Sequence, residues 1–217
     1  AEQNKLWAGM AKETAHQIGT PLSSLLGWVE LLRLENTSED IVTEIEKDVD
    51  RLNTIADRFS KIGSIPKLEP TDLVEETKNA FGYIKSRSFK QITFEFKDEH
   101  GEPLMVNLNQ QLYSWVIENL VKNAIDAMQG KGNLTVTISR ENNHALVLVS
   151  DTGKGILKRL HKKIFDPGYT TKKRGWGLGL SLTKRIIEDY HNGRIYVKNS
   201  EIGKGTTFAI ELKLIAS

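Results

Sequence analysis

The 217-residue chain contains no cysteine, which excludes disulfides and any thiolate metal site and fits a reducing compartment. No apolar run approaches the ~18 residues that a membrane-spanning helix requires, and no signal-peptide pattern is present. Charge of one sign is also missing: Lys+Arg is 30 and Asp+Glu is 28, a net charge of +2. A nucleic-acid footprint needs a strong basic bias on one face, so no nucleic-acid partner is expected. Proline is scarce, at 5 residues. The chain starts Ala1-Glu2-Gln3 without Met and enters helical sequence at once, which reads as a piece of a longer protein.

Residues 3 to about 63 hold a single proline and lack strand-type alternation, as a helical hairpin would. Ile18, Leu22, Leu25, Leu26, Val29 and Leu32 recur at spacings of three and four. Asn36-Thr37-Ser38 supplies the turn, with Ser38 as N-cap of the second helix. That helix carries Ile41, Ile45, Val49, Leu52, Ile55, Phe59 and Ile62, close to a heptad repeat. Two helices cannot bury both stripes alone, so a homodimeric four-helix bundle is expected. The alternative is a hairpin that packs within its own chain. Gly63-Ser64-Ile65-Pro66 and Pro70 read as a linker, dividing the chain into domains 1–66 and 67–217.

The second domain reads as α+β. A helix capped by Thr71 or Asp72 runs to about Arg87, and a strand follows over Gln91–Phe96. Leu104-Met105-Val106 is a short strand, and Asn109–Met128 a long amphipathic helix. Leu134–Ser139 and Ala145–Ser150 form a hairpin, Leu178–Tyr190 is helical, and Arg194–Lys198 and Thr206–Leu214 are closing strands. Helices on one face of a mostly antiparallel sheet give an α/β sandwich.

Four segments of this domain carry the chemistry. In Glu118-Asn119-Leu120-Val121-Lys122-Asn123, the two asparagines are four apart and share a helical face. Neutral carboxamide oxygens suit Mg²⁺, which keeps several waters and shares itself with substrate phosphates; two surface asparagines would look the same. Asp151-Thr152-Gly153-Lys154-Gly155-Ile156 follows a hydrophobic strand, where a carboxylate can accept from an adenine amino group; an ordinary Asp-Gly turn is the plainer reading. Gly175-Trp176-Gly177-Leu178-Gly179-Leu180 opens a helix whose free N–H groups can cradle phosphate. Before it lies the polar, basic stretch Lys158–Arg174, which reads as a lid. Gly203-Lys204-Gly205-Thr206-Thr207 turns into a strand with hydroxyls available to the base.

Taken in this order, the segments resemble the ATP-binding domain shared by histidine kinases, gyrase-type topoisomerases and mismatch-repair ATPases, over about residues 71–215. The resemblance implies Mg²⁺ at Asn119 and Asn123, adenine at Asp151, and ATP contacts from Gly153, Gly155, Gly177, Gly179 and Thr206. Lys122, Ile156, Lys172, Gly175, Leu178 and Leu180 are further nucleotide-contact candidates within the same boxes. Two positions depart from the usual pattern, Gly168 where an aromatic is common and Trp176 where a small hydroxyl residue is common, and both fall in the lid. ATP-hydrolysing relatives place a general-base Glu four residues before the second asparagine. This chain has Asn119 there, so water attack should be slow.

His16-Gln17-Ile18-Gly19-Thr20-Pro21-Leu22 resembles the H box of histidine kinases. On a helical wheel His16 lies about 120° from Leu22, on the polar side. A neutral imidazole is a good nucleophile toward phosphorus. The family usually follows the acceptor with Glu or Asp. Gln17 can orient the ring but cannot take a proton. Thr20 sits where the family positions a water that hydrolyses the partner's phospho-aspartate. His100, His144, His161 and His191 share no metal-ligand spacing and read as surface residues.

The resemblance therefore implies a sensor histidine kinase core that phosphorylates His16 and passes the phosphoryl group to an Asp of a response-regulator receiver domain, with response-regulator phosphatase activity as an addition. The expected location is the cytoplasm, with any membrane attachment supplied by segments outside this chain. Two alternatives stand beside it: an ATP-binding scaffold acting mainly as phosphatase or docking platform, which Gln17 motivates, and a hydrolysing ATPase, which Asn119 argues against.

Overall fold

The computed structural model describes residues 22–23, 25–34, 38–62, 66–85, 91–171 and 177–215. His16, Gln17, Thr20, Lys172, Gly175 and Trp176 lie outside the described residues, as do the turn at Asn36 and the linker residues Gly63–Ile65. The chain divides into two compact units, Ala1–Pro66 and Lys67–Ser217.

The first unit is helical. Helix α1 covers residues 25–34 together with 22–23, and α2 spans Glu39–Ile62. Ser38 stands at the start of α2, its carbonyl accepting from Ile41 and Val42. Leu22 and Val49 form a small buried cluster flanked by Leu26 and Ile45, and Val29 and Val42 are buried too. Arg33 reaches Glu46 at 2.6 Å, tying the two helices near the turn. Other apolar side chains stay open, with Leu25, Trp28, Leu31 and Leu34 of α1 and Ile41 and Leu52 of α2 exposed.

The second unit opens with β1 (Glu69–Asp72) and α3 (Leu73–Lys85), followed by β2 (Ile92–Asp98), β3 (Met105–Leu108), α4 (Gln110–Ala127), β4 (Gly132–Glu141) and β5 (His144–Asp151). Two single 3₁₀ turns, Lys158–Leu160 and Lys163–Phe165, precede α5 (Gly179–Arg185), and β6 (Arg194–Glu201) and β7 (Gly205–Lys213) close the fold. The five-stranded sheet has the order β2-β4-β5-β7-β6; β2 and β4 are parallel and the other pairs antiparallel. Its inward residues alternate as a half-buried sheet requires: Leu134, Val136 and Ile138 on β4, Val147 and Val149 on β5, Phe208, Ile210 and Leu212 on β7. Against them packs α4, flanked by α3 and α5.

The stretch containing Pro70, expected as linker, is instead strand β1, paired antiparallel with β3 from Glu69↔Leu108 to Asp72↔Met105. Among the described residues strand β1 has β3 as its one ladder partner, so Pro70 sits where a missing N–H is tolerated. Asp72 then starts α3: its Oδ1 accepts from Val74 N at 3.0 Å and from Leu104 N at 3.1 Å. One side chain thus caps the helix and fixes the approach to β3.

Candidate functional site

Asp151 is the last residue of β5, and its position is set by the ladders on both sides, opposite Leu134 of β4 and Thr206 of β7. It is buried, 7% exposed. Its Oδ1 accepts from Gly153 N at 2.8 Å. Burial pushes the carboxyl above its ordinary range, and the backbone N–H groups of Gly153 and Thr206 pull it part of the way back. Such a carboxylate, held from below by backbone donors, keeps lone pairs for one further donor. Thr206 is buried beside it, with its hydroxyl 2.9 Å from Ser200 Oγ. Ser200 Oγ also receives Ile156 N at 2.8 Å, so the start of the lid is fastened to the β6–β7 corner.

The glycines here make room. A Cβ on Gly153 would come 2.7–2.8 Å from the Ala127 main chain and Cβ, so glycine lets this loop lie against the end of α4. Lys154 N donates to Ala127 O at 3.0 Å across the same contact. Gly155 has φ +73°, and a Cβ there would run into the Glu201 carbonyl.

Helix α4 starts at Asn109, whose side chain accepts from Leu112 N at 3.1 Å. Asn119 and Asn123 fall on one face of it, both half-buried. Asn119 donates from Nδ2 to Thr183 Oγ1 of α5 at 2.8 Å. Glu118 is buried and paired with Lys122 at 3.5 Å, while Lys122 itself is largely exposed. One helical residue is about 100° of rotation, so Glu118 does not occupy the Asn119 position, and the side chain that meets α5 is an amide rather than a base.

Leu178 precedes α5 as its N-cap, and its carbonyl accepts from Leu182 N. Leu180 is partly buried against the core. Gly177 has φ +66°, and a Cβ on it would strike the Gly168 main chain. Gly168 N donates to Gly177 O at 3.0 Å, so these two glycines meet backbone to backbone. Gly168, the departure noted in the sequence, has φ +81°, a conformation that disfavours the usual aromatic. Ile164 and Phe165 are buried, and Phe165 meets Phe208 edge-on at 6.2 Å, which roots the lid in the core.

Among the described residues no group of three or more His, Cys, Asp or Glu could hold a metal ion. The two carboxamides of α4 are neutral oxygen donors, and they fit a cation that arrives on its substrate and takes most of its ligands from phosphate and water.

His191 corrects the sequence reading. It is 6% exposed, not a surface residue. After α5 the chain makes one wide helical turn over Ile186–Tyr190, closed by His191 N donating to Ile186 O at 3.2 Å. That turn swings the ring inward. Nε2 accepts from Asn109 N at 2.9 Å, and Nδ1 faces Ile186 O at 2.7 Å. Two acceptor and donor demands fix the neutral tautomer with its proton on Nδ1. His144 is exposed, and His100 and His161 are partly so.

Sequence reasoning missed Thr183, Ser200 and His191. Nothing in their local pattern marks them, since each acts through a partner remote in sequence. Lys172 and Gly175 lie outside the described residues, and so do His16, Gln17 and Thr20.

With this geometry in hand, two family models match. Residues 109–216 match the "Histidine kinase-, DNA gyrase B-, and HSP90-like ATPase" family, and residues 7–65 the "His Kinase A (phospho-acceptor) domain". Sporulation kinase D of Bacillus subtilis (strain 168) is 30% identical over 225 residues, covering 100% of this chain and 44% of the relative. The catalytic domain of histidine kinase ThkA, in a nucleotide-free form, superposes with a TM-score of 0.62 at 33% identity, over 68% of this chain and 96% of that one. Histidine kinase ThkA in complex with response regulator protein TrrA matches at 27% identity and a TM-score of 0.64, over 99% of this chain and 64% of that one. The chain spans less than half the length of the sporulation kinase. It is a member of the histidine kinase family, built of a phosphoacceptor domain followed by an ATPase domain.

Proposed function

We propose that this chain is the catalytic core of a sensor histidine kinase, which binds ATP within residues 67–217 and transfers the γ-phosphoryl group to His16 within residues 1–66. The observation that carries the reading is the Asn119–Thr183 hydrogen bond of 2.8 Å. It joins the carboxamide helix α4 to α5 in the domain that also holds the buried carboxylate of Asp151.

Asp151 accepts from the adenine amino group, with Thr206 beside it. The N–H groups of the glycine-rich entry to α5, Gly177 in the loop and Gly179 at the first helical position, receive phosphate oxygens. Asn119 and Asn123 hold Mg²⁺ through their Oδ1 atoms; when bound, the ion offsets negative charge on the phosphates. Lys122, Lys172, Gly175, Ile156, Leu178 and Leu180 complete the nucleotide contacts. An imidazole nitrogen of His16 attacks the γ-phosphorus, an N–P bond forms, the bond to the bridging oxygen breaks, and ADP leaves. The imidazole proton passes to water or another acceptor, because the Gln17 amide orients the ring without taking it. With Asn119 where hydrolysing relatives carry a base, the γ-phosphoryl group is kept for His16 rather than water. The phosphoryl group then moves to an Asp of a response-regulator receiver domain.

A second activity, phosphatase action on that phospho-aspartate, follows from Thr20. The first unit associates as a homodimer through the open apolar face of its hairpin.

The test is uptake of label from γ-labelled ATP. His16→Ala is expected to abolish acid-labile, base-stable protein label while leaving nucleotide affinity within about twofold. Acid-labile label on the Ala variant would place the acceptor elsewhere.

A further inference from the structure

An asparagine can serve a cation only through its oxygen, and Asn119 has two orientations that differ by exchange of its oxygen and nitrogen. The network around it permits one. Thr183 is buried, 2% exposed, on α5. Its Oγ1 lies 2.9 Å from Gly179 O, a carbonyl that can only accept, so the hydroxyl proton is committed there. The same Oγ1 must therefore accept from Asn119, at 2.8 Å, and the group facing it must be Nδ2. The whole carboxamide packs against Gly179: a Cβ there would lie 2.6 Å from Asn119 Oδ1 and 3.1 Å from Nδ2, so a larger residue would push the amide out of this position.

We infer that Thr183 is a positioning residue that fixes the Asn119 carboxamide with Oδ1 presented to the nucleotide-bound cation. This rests on the reading of Asn119 as a Mg²⁺ ligand. Thr183 is not itself a ligand of nucleotide or metal. It acts through Asn119, and it links the first turns of α5 to the carboxamide face of α4. Without its hydroxyl, Nδ2 loses its acceptor, and the amide is free to turn its donor end toward the cation.

The experiment compares the 217-residue chain with Thr183→Val, which is nearly isosteric and lacks the hydroxyl, and with Thr183→Ser, which retains it. ATP affinity is measured by calorimetry with excess EDTA and with saturating Mg²⁺. In EDTA the three chains are expected to agree within about twofold. The gain in affinity on adding Mg²⁺ is expected to be kept by Thr183→Ser and to fall roughly three- to tenfold in Thr183→Val, about the net worth of one hydrogen bond. A second readout needs neither nucleotide nor metal: the Asn119 side-chain amide protons should resist solvent exchange by NMR in the wild type and Thr183→Ser, and exchange freely in Thr183→Val.

A Thr183→Val chain with the full Mg²⁺ gain overturns the inference, as does one that loses affinity equally with and without Mg²⁺, which marks a packing defect. Failure of Thr183→Ser to restore the gain overturns it too. Asn119→Ala separates the levels. If that chain keeps the Mg²⁺ gain, the metal reading fails and takes the inference with it. If it loses the gain while Thr183→Val keeps it, only the inference fails.

Discussion

At the scale of single residues, Asp151 is the side chain whose environment says most about its use. Burial raises its pKa, and two backbone donors oppose the rise. A ligand amino group would add a third donor and favour the ionised form further, so binding and deprotonation are linked. The sign follows directly. As pH falls toward the raised pKa of the empty site, the carboxyl takes up a proton, one acceptor is lost, and ATP affinity drops. That drop should begin at higher pH than the ordinary Asp value of about 3.9. Asp151→Asn removes the titration and offers a donor where an acceptor is required. The variant is expected to bind ATP roughly ten- to hundredfold more weakly, from about 1.5–3 kcal/mol for a hydrogen bond to a charged group. From neutral pH down to the onset of acid unfolding, its affinity should then lack the Asp151-linked step and keep only the pH dependence that comes from the ATP phosphates. Calorimetry across that range checks both parts; an unchanged affinity at neutral pH would remove Asp151 from adenine recognition.

At the scale of elements, the domain depends on how α4 and α5 are joined, and two hydrogen bonds help to hold that joint. One is Asn119–Thr183, beside the proposed phosphates. The other is His191, after α5, accepting from Asn109 N at the start of α4 at 2.9 Å. Asn109 in turn donates from Nδ2 to Lys67 O at 3.1 Å, so the same residue holds the entry to the domain. Burial lowers the His191 pKa below its ordinary value, with the Ile186 carbonyl opposing. The unfolded chain therefore binds a proton at His191 near pH 6.5, before the folded one does. Its contribution to stability is complete above about pH 6.5 and is lost as pH falls from there toward the folded value. The urea midpoint of the wild type should drop between pH 7.5 and 5, and His191→Gln should show a shallower drop and a lower midpoint at pH 7.5. A parallel pH dependence in the two chains would remove His191 as its source.

The same elements show what sequence alone carries. Helix α4 was legible in full, since Asn109 caps it, its apolar residues repeat at helical spacing, and Gln129 and Gly130, with φ of +54° and +79°, end it. The β4–β5 hairpin was legible from alternation on both arms of the Asn142-Asn143 turn. The local geometry of the candidate site was legible wherever it depends on neighbours in sequence, as in the turn in which Asp151 Oδ1 accepts from Gly153 N. Strand β1 was not, because proline signals a break locally while a one-sided ladder tolerates it. The wide turn after α5 was not either. Its i→i+5 bond is stabilised by burying His191 against α4, a tertiary demand with no local signature. Thr183 reads in sequence as an unremarked helix threonine and gains meaning only from Gly179 O on one side and Asn119 on the other.

At the scale of the whole molecule, the first unit leaves a question that its own packing does not answer. In α1, Leu22, Leu26 and Val29 are spaced to face α2, and Leu22 and Val29 are buried. Offset from them run Leu25, Trp28, Leu31 and Leu34, at intervals of three. Trp28 is 59% and Leu34 79% exposed. Helix α2 repeats the division, with Val42 and Val49 buried and Ile41 and Leu52 exposed. A hairpin of about 60 residues is marginal alone, and this many exposed large apolar side chains on it call for a partner. A second copy fits, because one face on each of two hairpins closes a four-helix bundle. In a two-fold assembly each residue acts twice. Full burial of a Leu side chain contributes about 1.5–3 kcal/mol; Leu25 is 42% exposed in the hairpin, so a dimer gains only roughly 1–3 kcal/mol from its two copies. Leu25→Glu removes that gain and puts two carboxylates in the seam, which weakens the dimer by about one to two orders of magnitude or more. Light scattering at micromolar concentration is expected to give a dimer for the wild type and a monomer for Leu25→Glu, or for Leu25→Glu combined with Trp28→Glu. Because Lys67–Ser217 has its own core, these variants should bind ATP with wild-type affinity while losing the dimer. A wild-type chain that scatters as a monomer at 100 μM, or a double Glu variant that remains a dimer, would assign the open face to a different partner.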